Sequence, residues 1–544
     1  MKTKISEATV SARKEIRNLL GSIQIRRDHL LEYLHLIQDN FGCISKNHIS
    51  GLADIMAIAT SEIHEVASFY HHFNLTATTE LPRKICIKVC ESITCSMFGS
   101  SDLLANLPNH LPQGTTIQKV PCIGRCDSAP VAVVGKNPVL HATVEKIITL
   151  VGNKNTQPSL PNYTDLESAL EEGGYNIYKM CLEKKFTPSK IIKILTTAGL
   201  RGLGGAGFST GKKWDIVRSF PSPRSVAVNI DEGEPGTFKD RHYLEKLPHQ
   251  FLEGMLISAW AVEANKCFIY LRDEYAACHT MLLLELEKLK SAFPNQLPEI
   301  ELRRGAGSYI CGEESAMLES IEGKRGMPRL RPPYIAETGL FGNPTLEHNF
   351  ETLFWIPEII QNTEKGEIES TELRGRKGLR SYSVSGRICL PGVHRAPAGI
   401  SIHELIDNYC GGMLPGHKLK AYFPGGASGG ILPATIHNLA LDFDTLQPHG
   451  CFIGSAAIIV LSDHDSIPKF ALNAMRFFKK ESCGKCTPCR VGTDKAAELM
   501  AKSTWDVETL TDLATVMADA SICGLGQAAP NPLLSTIKHF RDEL

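Results

Sequence analysis

The sequence predicts a multidomain α/β protein, and three observations carry that prediction. Its 544 residues suffice for roughly three to four domains. Between residues 189 and 350, strand signals at 226–230, 267–271 and 300–303 alternate with long helical stretches, the pattern of a parallel sheet layered with helices. Outside that region the cysteines gather into tight sets, Cys90/Cys95, Cys122/Cys126 and Cys483/Cys486/Cys489, whose spacing reads as metal ligation.

Composition excludes several classes. With 58 Lys and Arg against 59 Asp and Glu, no excess charge is available to hold nucleic acid or an anionic membrane. No apolar run approaches the ~18 residues of a membrane span, so no direct membrane insertion is expected. The N-terminus, MKTKISEATVSARKEIR, has basic residues without an apolar core behind them and is not a secretory signal; a cytoplasmic location is expected. In that compartment 17 cysteines read as metal ligands or buried thiols, not disulfides. The nine outside the tight sets (Cys43, Cys86, Cys181, Cys267, Cys278, Cys311, Cys389, Cys410 and Cys451) read as small buried hydrophobes.

Taken in order, residues 1 to about 80 read as helical: Leu30, Leu31, Leu34 and Ile37 recur at helical spacing, and Thr60-Ser61 is placed to cap a further helix. Residues 84–90 alternate as a strand ending in Cys90, residues 100–107 read as a helix, and the apolar run 130–134 as another strand. The C-x4-C pair Cys90/Cys95 and the C-x3-C pair Cys122/Cys126 give four thiolates on loops beside strands. Such a set can hold a [2Fe-2S] cluster or a tetrahedral zinc ion. Residues 152–165, polar with two prolines, read as a linker.

Gly202, Gly204 and Gly207 then fit G-x-G-x-x-G, positions without side chains where backbone N–H groups can close on a phosphate. The stretch before them reads as a helix instead of a strand, which places this cradle outside the usual dinucleotide fold; a plain glycine turn is the alternative. Some residues further on, Asp231, Glu232 and Glu234 supply acceptors for ribose hydroxyls or a nicotinamide amide. A second glycine segment, residues 305–312, follows a strand and opens a helix to about residue 322, the arrangement that points N–H groups and a helix dipole at an anion. Residues 362–380 read as a second linker and 381–436 as a small mixed β unit without evident chemistry. From about residue 468 the chain is helical and carries C-x2-C-x2-C at Cys483, Cys486 and Cys489 with a remote Cys523. Three closely spaced thiolates suit one face of a [4Fe-4S] cube, with zinc as the alternative.

These segments together resemble the flavin- and NADH-binding subunit of respiratory complex I and its relatives, the diaphorase subunits of NAD-reducing hydrogenases and NAD-dependent formate dehydrogenases. The resemblance rests on residues 199–208, 229–236, 305–314 and 344–352 and on the Cys483–Cys489 run. The N-terminal part resembles the thioredoxin-like [2Fe-2S] subunit of complex I through residues 34–39, Ser68-Phe69-Tyr70 and Cys126 followed by Ala129-Pro130. Residues 381–436 resemble the family's β-grasp module, with a spacer role expected. Two positions depart from the pattern: Leu203 replaces a common Arg, and His348 the first of an Asn pair.

The resemblance implies a helical plus thioredoxin-like [2Fe-2S] domain (1–155), an FMN- and NAD-binding α/β domain (160–370), a β-grasp domain (380–465) and a C-terminal helical bundle with a [4Fe-4S] cluster (466–544). Hydride carries two electrons and clusters accept one, so a nucleotide site joined to clusters calls for a flavin; the resemblance implies FMN. By position, Gly202, Gly204, Gly205, Lys213, Asn229, Asp231, Glu232, Gly312, Glu313 and Asn349 would hold FMN. Phe208, Lys213, Glu234, Tyr309 and Glu314 would meet NAD(H), with Glu234 and Lys213 the residues most engaged in catalysis. Cys90, Cys95, Cys122 and Cys126 would ligate one [2Fe-2S] cluster, and Cys483, Cys486, Cys489 and Cys523 one [4Fe-4S] cluster. The fused domain order most resembles the large diaphorase subunit of cytosolic NAD-reducing [NiFe] hydrogenases, implying a ferredoxin-like iron–sulfur subunit and a [NiFe] hydrogenase pair as partners. A complex I-type enzyme or a formate dehydrogenase is the alternative assembly. A non-catalytic NAD sensor or scaffold and a zinc-stabilised module are the readings from other classes.

Overall fold

The computed structural model describes residues 7–76, 85–112, 114–367 and 371–544. The expectations at residues 1–6 and 77–84 and part of the second linker, 368–370, lie outside the described residues. Four helices open the chain: α1 (Glu7–Leu20), α2 (Leu30–Phe41), α3 (Lys46–Met56) and α4 (Thr60–Phe69). Two-residue strands β1 (Ile44–Ser45) and β2 (Leu75–Thr76) tie them together. Ser45 accepts from the His48 N–H and His48 reaches back to the Ser45 N–H, a capping box on α3. The cap of α4 is Ala59, without a side-chain bond; Thr60 and Ser61 lie in its first turn, one position later than expected. A four-stranded sheet follows, in the order β4-β3-β5-β6, from β3 (Cys86–Cys90), β4 (Thr116–Val120), β5 (Ala132–Val134) and β6 (Asn137–Val139). Helices α5 (Ile93–Met97), α6 (Ser100–Asn106) and α7 (Val144–Gly152) flank it.

After α8 (Leu166–Glu171), α9 (Asn176–Leu182), α10 (Pro188–Thr197) and α11 (Thr210–Ser219) comes the central sheet. Its strands are β7 (Arg224–Ile230), β8 (Ala264–Leu271), β9 (Glu299–Arg304) and β10 (Thr345–Asn349), all parallel, ordered β10-β7-β8-β9. Helices α12 (Lys239–Leu244), α13 (Pro248–Ala261), α14 (Ala276–Ala292), α15 (Glu314–Ile321), α16 (Phe350–Phe354) and α17 (Ile356–Lys365) accompany it. Both faces of β7 and β8 are apolar, as a parallel sheet covered on two sides requires. Val226, Val228, Ile230, Cys267, Ile269 and Leu271 pack into one core with α13 and α14. The alternate residues Ala227, Phe268 and Tyr270 join a second core with the N-terminal and C-terminal helices. Strand β10 is not among the expected strands: its Thr-Leu-Glu-His-Asn sequence has too little apolar alternation to signal one.

The second linker is largely structured. Helix α17 runs into it, the hairpin β11 (Glu372–Leu373)–β12 (Arg376–Lys377) closes it, and β13 (Leu379–Gly386) begins within it. The mixed β unit takes in a strand beyond residues 381–436, inside the 380–465 span expected for the domain. Its sheet, β14-β13-β17-β15-β16, comprises β14 (Gly392–Pro397), β15 (Leu419–Phe423), β16 (Leu432–Pro433) and, near the middle, β17 (Ala457–Ser462), with α18 (Ile402–Tyr409) alongside. The chain ends in α19 (Ile467–Glu481), α20 (Thr487–Met500), α21 (Val507–Ala520), α22 (Gly524–Ala528) and α23 (Asn531–His539). Six of the nine lone cysteines are buried as expected; Cys43 and Cys86 are half-buried and Cys389 is exposed. No helix among the described residues is long and apolar enough to cross a membrane.

Candidate active site

The two glycine segments meet at the C-terminal ends of the parallel strands, where open α/β sheets place their ligands. A cleft there is lined by Gly204 and Gly205 from the first segment, Asn229, Asp231 and Glu234 from the end of β7, and Tyr309, Gly312 and Glu313 from the second. Gly425, Ser428, Gly454 and Ser455 of the β-grasp unit form a further wall, and Gly524 and Leu525, directly after Cys523, another. The spacer expectation is therefore corrected: two loops of the β-grasp unit reach the cleft. The run Gly-Gly-Ala-Ser-Gly-Gly at 425–430 was a sequence signal for that contact. Thr237, Lys239 and Asp240, also lining the cleft, carry no signal of that kind.

The cleft fits a polyhydroxylated phosphate ligand such as FMN. Gly204 packs where a Cβ would lie 2.9 Å from the Asn349 Cβ, and Gly205 has φ +130°, so both backbones can approach a ligand that side chains would block. The Asp231 carboxyl is buried with its Oδ2 lacking any hydrogen-bond partner among the described residues, and a ligand hydroxyl would satisfy it. Burial pushes that carboxyl well above the usual range. Across the cleft, the Glu234 carboxylate accepts the Ser428 N–H at 2.7 Å and the Tyr309 hydroxyl. Burial raises Glu234, while these two donors hold it back.

The remaining expected residues divide by geometry. Asn229 donates to the Gly312 carbonyl at 2.9 Å and accepts the Asp231 N–H, which ties the end of β7 to the second glycine segment. Asn349 caps α16 and donates to Asp240 at 2.6 Å. Glu313 caps α15 by accepting the Ala316 N–H and pairs with Arg331. Glu232 also lines the cleft, and its carboxylate accepts the Asp240 and Arg241 N–H groups and the Tyr275 hydroxyl, at 2.8, 3.1 and 2.8 Å. Gly202, Phe208, Lys213 and Glu314 lie outside the cleft lining. The Gly202 N–H is spent on the Phe208 carbonyl, and the Phe208 ring is 49% exposed. Lys213 pairs with Glu347 at 2.8 Å and approaches Glu314 at 3.7 Å. Burial works to lower the Lys213 ammonium, and these two carboxylates outweigh it. The two departures are accommodated: the Leu203 N–H bonds Thr352, and His348 accepts the Trp214 indole N–H at 2.8 Å, a role for a neutral imidazole.

Below the cleft, Lys239 is 1% exposed and bridges Asp240 at 2.7 Å and Glu351 at 2.9 Å. This buried lysine holds the start of α12 to α16 and so the floor to the sheet edge.

The cysteines meet in two groups. Cys122 and Cys126 are 3.3 Å apart, and Cys90 and Cys95 form a second pair whose field reaches the first. The hydrogen bond from Cys126 lowers the Cys122 thiol to about 7, with burial opposing and Arg272 assisting. Cys483, Cys486 and Cys489 stand at the start of α20, and Cys523 lies near Cys483. A tetrahedral zinc at about 2.3 Å from each sulfur would hold four thiols about 3.8 Å apart. Among the described residues the one set of three ligand atoms within 4.8 Å is Asp28, His29 and Glu301, so no three thiols are that close. The carboxylates of the Asp28 set are taken by Arg26 and Arg303, at 2.6–2.7 Å.

Comparison with known proteins agrees with this geometry. Residues 16–155 match the thioredoxin-like [2Fe-2S] ferredoxin family, 195–358 the Nuo51 FMN-binding domain and 469–544 the NADH-ubiquinone oxidoreductase-F iron-sulfur binding region. The F 2 subunit of NADH-quinone oxidoreductase from Rhizobium meliloti (strain 1021) is 40% identical over 394 residues, 68% of this chain and 91% of the relative. The F subunit of the Aquifex aeolicus (strain VF5) NADH-quinone oxidoreductase is 38% identical over 402 residues, 70% of this chain and 91% of that protein. The crystal structure of an NAD+-reducing [NiFe]-hydrogenase in the H2-reduced state matches with TM-score 0.82 and 30% identity, covering 96% of this chain and 92% of that one. The fold is thus a thioredoxin-like [2Fe-2S] domain, an FMN-binding domain and a helical [4Fe-4S] region in one chain, and its cofactors are FMN, NAD(H), one [2Fe-2S] and one [4Fe-4S] cluster. By sequence and by structure, this electron-transferring NADH oxidoreductase chain belongs to the family of the NADH-quinone oxidoreductase F subunits.

Proposed function

We propose that the chain is the diaphorase subunit of an NAD-reducing [NiFe] hydrogenase in the cytoplasm, exchanging hydride with NAD(H) and single electrons with a ferredoxin-like iron–sulfur subunit. The observation that supports this reading is the fused order. The similarity to the hydrogenase chain spans 96% of this chain, whereas that to the Rhizobium F 2 subunit spans 68%. What distinguishes the two is the [2Fe-2S] region carried in cis at residues 16–155.

FMN bound in the cleft supplies the conversion between two-electron hydride and one-electron cluster chemistry. The chain's residues bind and orient. Backbone at Gly204, Gly205 and Gly312 makes the close approach, and Asp231 accepts from a ligand hydroxyl. Glu234, fixed by Tyr309 and Ser428, anchors the dinucleotide's ribose hydroxyls or carboxamide, and Lys213 keeps the Glu314–Glu347 carboxylates at the rim neutralised. The β-grasp loops exclude water from one side. Gly524 and Leu525 put the cleft wall next to Cys523, a short exit for electrons. Hydride transfer itself calls for no general acid or base; positioning and fixed electrostatics are the protein's contribution.

The test is native isolation with the neighbouring subunits. The complex should reduce NAD with hydrogen, while the isolated chain reduces an artificial dye with NADH and has no hydrogen-dependent activity. Copurification with membrane subunits, or with a molybdenum protein and formate-dependent NAD reduction, would overturn the hydrogenase reading in favour of the other assemblies.

A further inference from the structure

Beside the nucleotide cleft lies a second cavity of about 320 Å³, enclosed by the [2Fe-2S] domain, the flavin domain and α19. Asp231, Gly233 and Tyr309 line both spaces. Four buried polar atoms on its wall have no hydrogen-bond partner among the described residues: Asp231 Oδ2, Arg272 Nε, Glu274 Oε2 and Glu481 Oε1. Unpaired buried groups of this kind are normally met by water. At about 30 Å³ per molecule the space has room for roughly ten. On the outer side the wall carries half-exposed Gln118 and Lys88 and exposed Lys119, and His71, 40% exposed, stands 3.9 Å from Glu481. Other charges of the wall are paired: His72 with Asp273 at 2.8 Å and Lys136 with Asp39 at 2.7 Å.

The chemistry of the cleft gives this space a use. Each hydride delivered by NADH is two electrons and one proton. The electrons leave singly to oxidised iron–sulfur clusters, so one proton per NADH remains and must reach water; in the reverse direction one must enter. Nicotinamide and the β-grasp loops would close the cleft when it is occupied. We propose that the second cavity is a hydrated proton path and that the Asp231 carboxyl passes the proton between cleft and cavity. The inference rests on the reading of the cleft as the FMN and NAD(H) site. Facing Asp231 are Arg272 and Glu274 after β8, Glu481 at the end of α19, Tyr270 on β8 and Cys311 in the second glycine segment. Arg272 favours the ionised carboxyl and the two glutamates disfavour it, burial being the larger effect in the same direction. A carboxyl so placed takes up a proton readily and can hand it on through water.

The test uses the full chain loaded with FMN and both clusters, in weak buffer with a pH-indicator dye and ferricyanide as acceptor. Asp231→Asn removes the exchanging group. Gln118→Trp, remote from the cleft lining, puts an indole in the outer wall and leaves Asp231 in place. In a single turnover, with NADH limiting to one equivalent per flavin, proton appearance in both variants should lag behind ferricyanide reduction by about tenfold or more, whereas in the parent the two coincide. The oxidised-minus-reduced infrared spectrum of the parent should contain a D2O-sensitive carboxylic C=O band that Asp231→Asn lacks. Coincident proton and electron kinetics in both variants, or a spectrum unchanged by Asp231→Asn, would overturn the path while NADH still bleaches the flavin. Failure of NADH to bleach the parent at full FMN content would instead overturn the reading of the cleft.

Discussion

Replacing Tyr309 by Phe isolates the electrostatics of the cleft. The ring stays, including its contact with Phe477 at 4.9 Å between centroids, and so does the N–H bond to Glu481 at 2.8 Å. Only the hydroxyl that donates to Glu234 is lost. A hydrogen bond to a charged group contributes about 1.5–3 kcal/mol, and about 1.4 kcal/mol corresponds to one pKa unit. Glu234, already raised by burial, should therefore rise by about one to two further units. The sign follows from the proposed role: the ionised carboxylate anchors the dinucleotide, so activity is full above the Glu234 pKa and falls as pH drops through it. In Tyr309→Phe the acid limb of kcat/KM for NADH, followed with ferricyanide, should move to higher pH by that amount, with flavin content unchanged. Because Tyr309 acts through Glu234, the double variant with Glu234→Gln should be no slower than Glu234→Gln alone. An unmoved acid limb, or additive losses in the double variant, would refute the coupling.

Three further expectations follow from the same geometry. In Gly204→Ala the new methyl meets the Asn349 Cβ at 2.9 Å; overpacking of about 1–3 kcal/mol should weaken FMN binding by about five- to a hundredfold, read by flavin fluorescence titration of the apoprotein. Lys239→Met leaves Asp240 and Glu351 buried without their cation and should cost about 3–5 kcal/mol, seen as a lower urea midpoint of the near-UV signal; an unchanged midpoint would mean the triad contributes no net stability. Cys486→Ser should abolish the [4Fe-4S] electron paramagnetic signal and spare the [2Fe-2S] signal, with Cys122→Ser doing the reverse; loss of both signals in either variant would contradict two separate ligand sets.

What the sequence by itself determined is what neighbours along the chain decide. Cys483, Cys486 and Cys489 sit three residues apart, and ligands that close in sequence announce a cluster before any fold is known. Strands β7 and β8 were legible because a parallel strand covered on both faces is apolar over most of its length, β9 because Ile300 and Leu302 alternate with polar residues, and both glycine segments because turns that approach a ligand are written in consecutive residues. Tertiary structure decided everything that depends on direction and distance. Asp231, Glu232 and Glu234 look alike in sequence, yet the end of β7 leaves Asp231 with an oxygen in the cleft wall that has no partner among the described residues, ties the Glu232 carboxylate to the first N–H groups of α12, and presents Glu234 to Ser428 from 194 positions away. Strand β10 stayed hidden because its place at the sheet edge is held by pairing with β7 and not by its own alternation. Of the β-grasp wall, the glycine run around Ser428 carries a local signal, but that it and Ser455 share this site is decided only when folding brings their loops across it. Local pattern encodes which chemistry a segment can do; only packing settles which of those groups share one space.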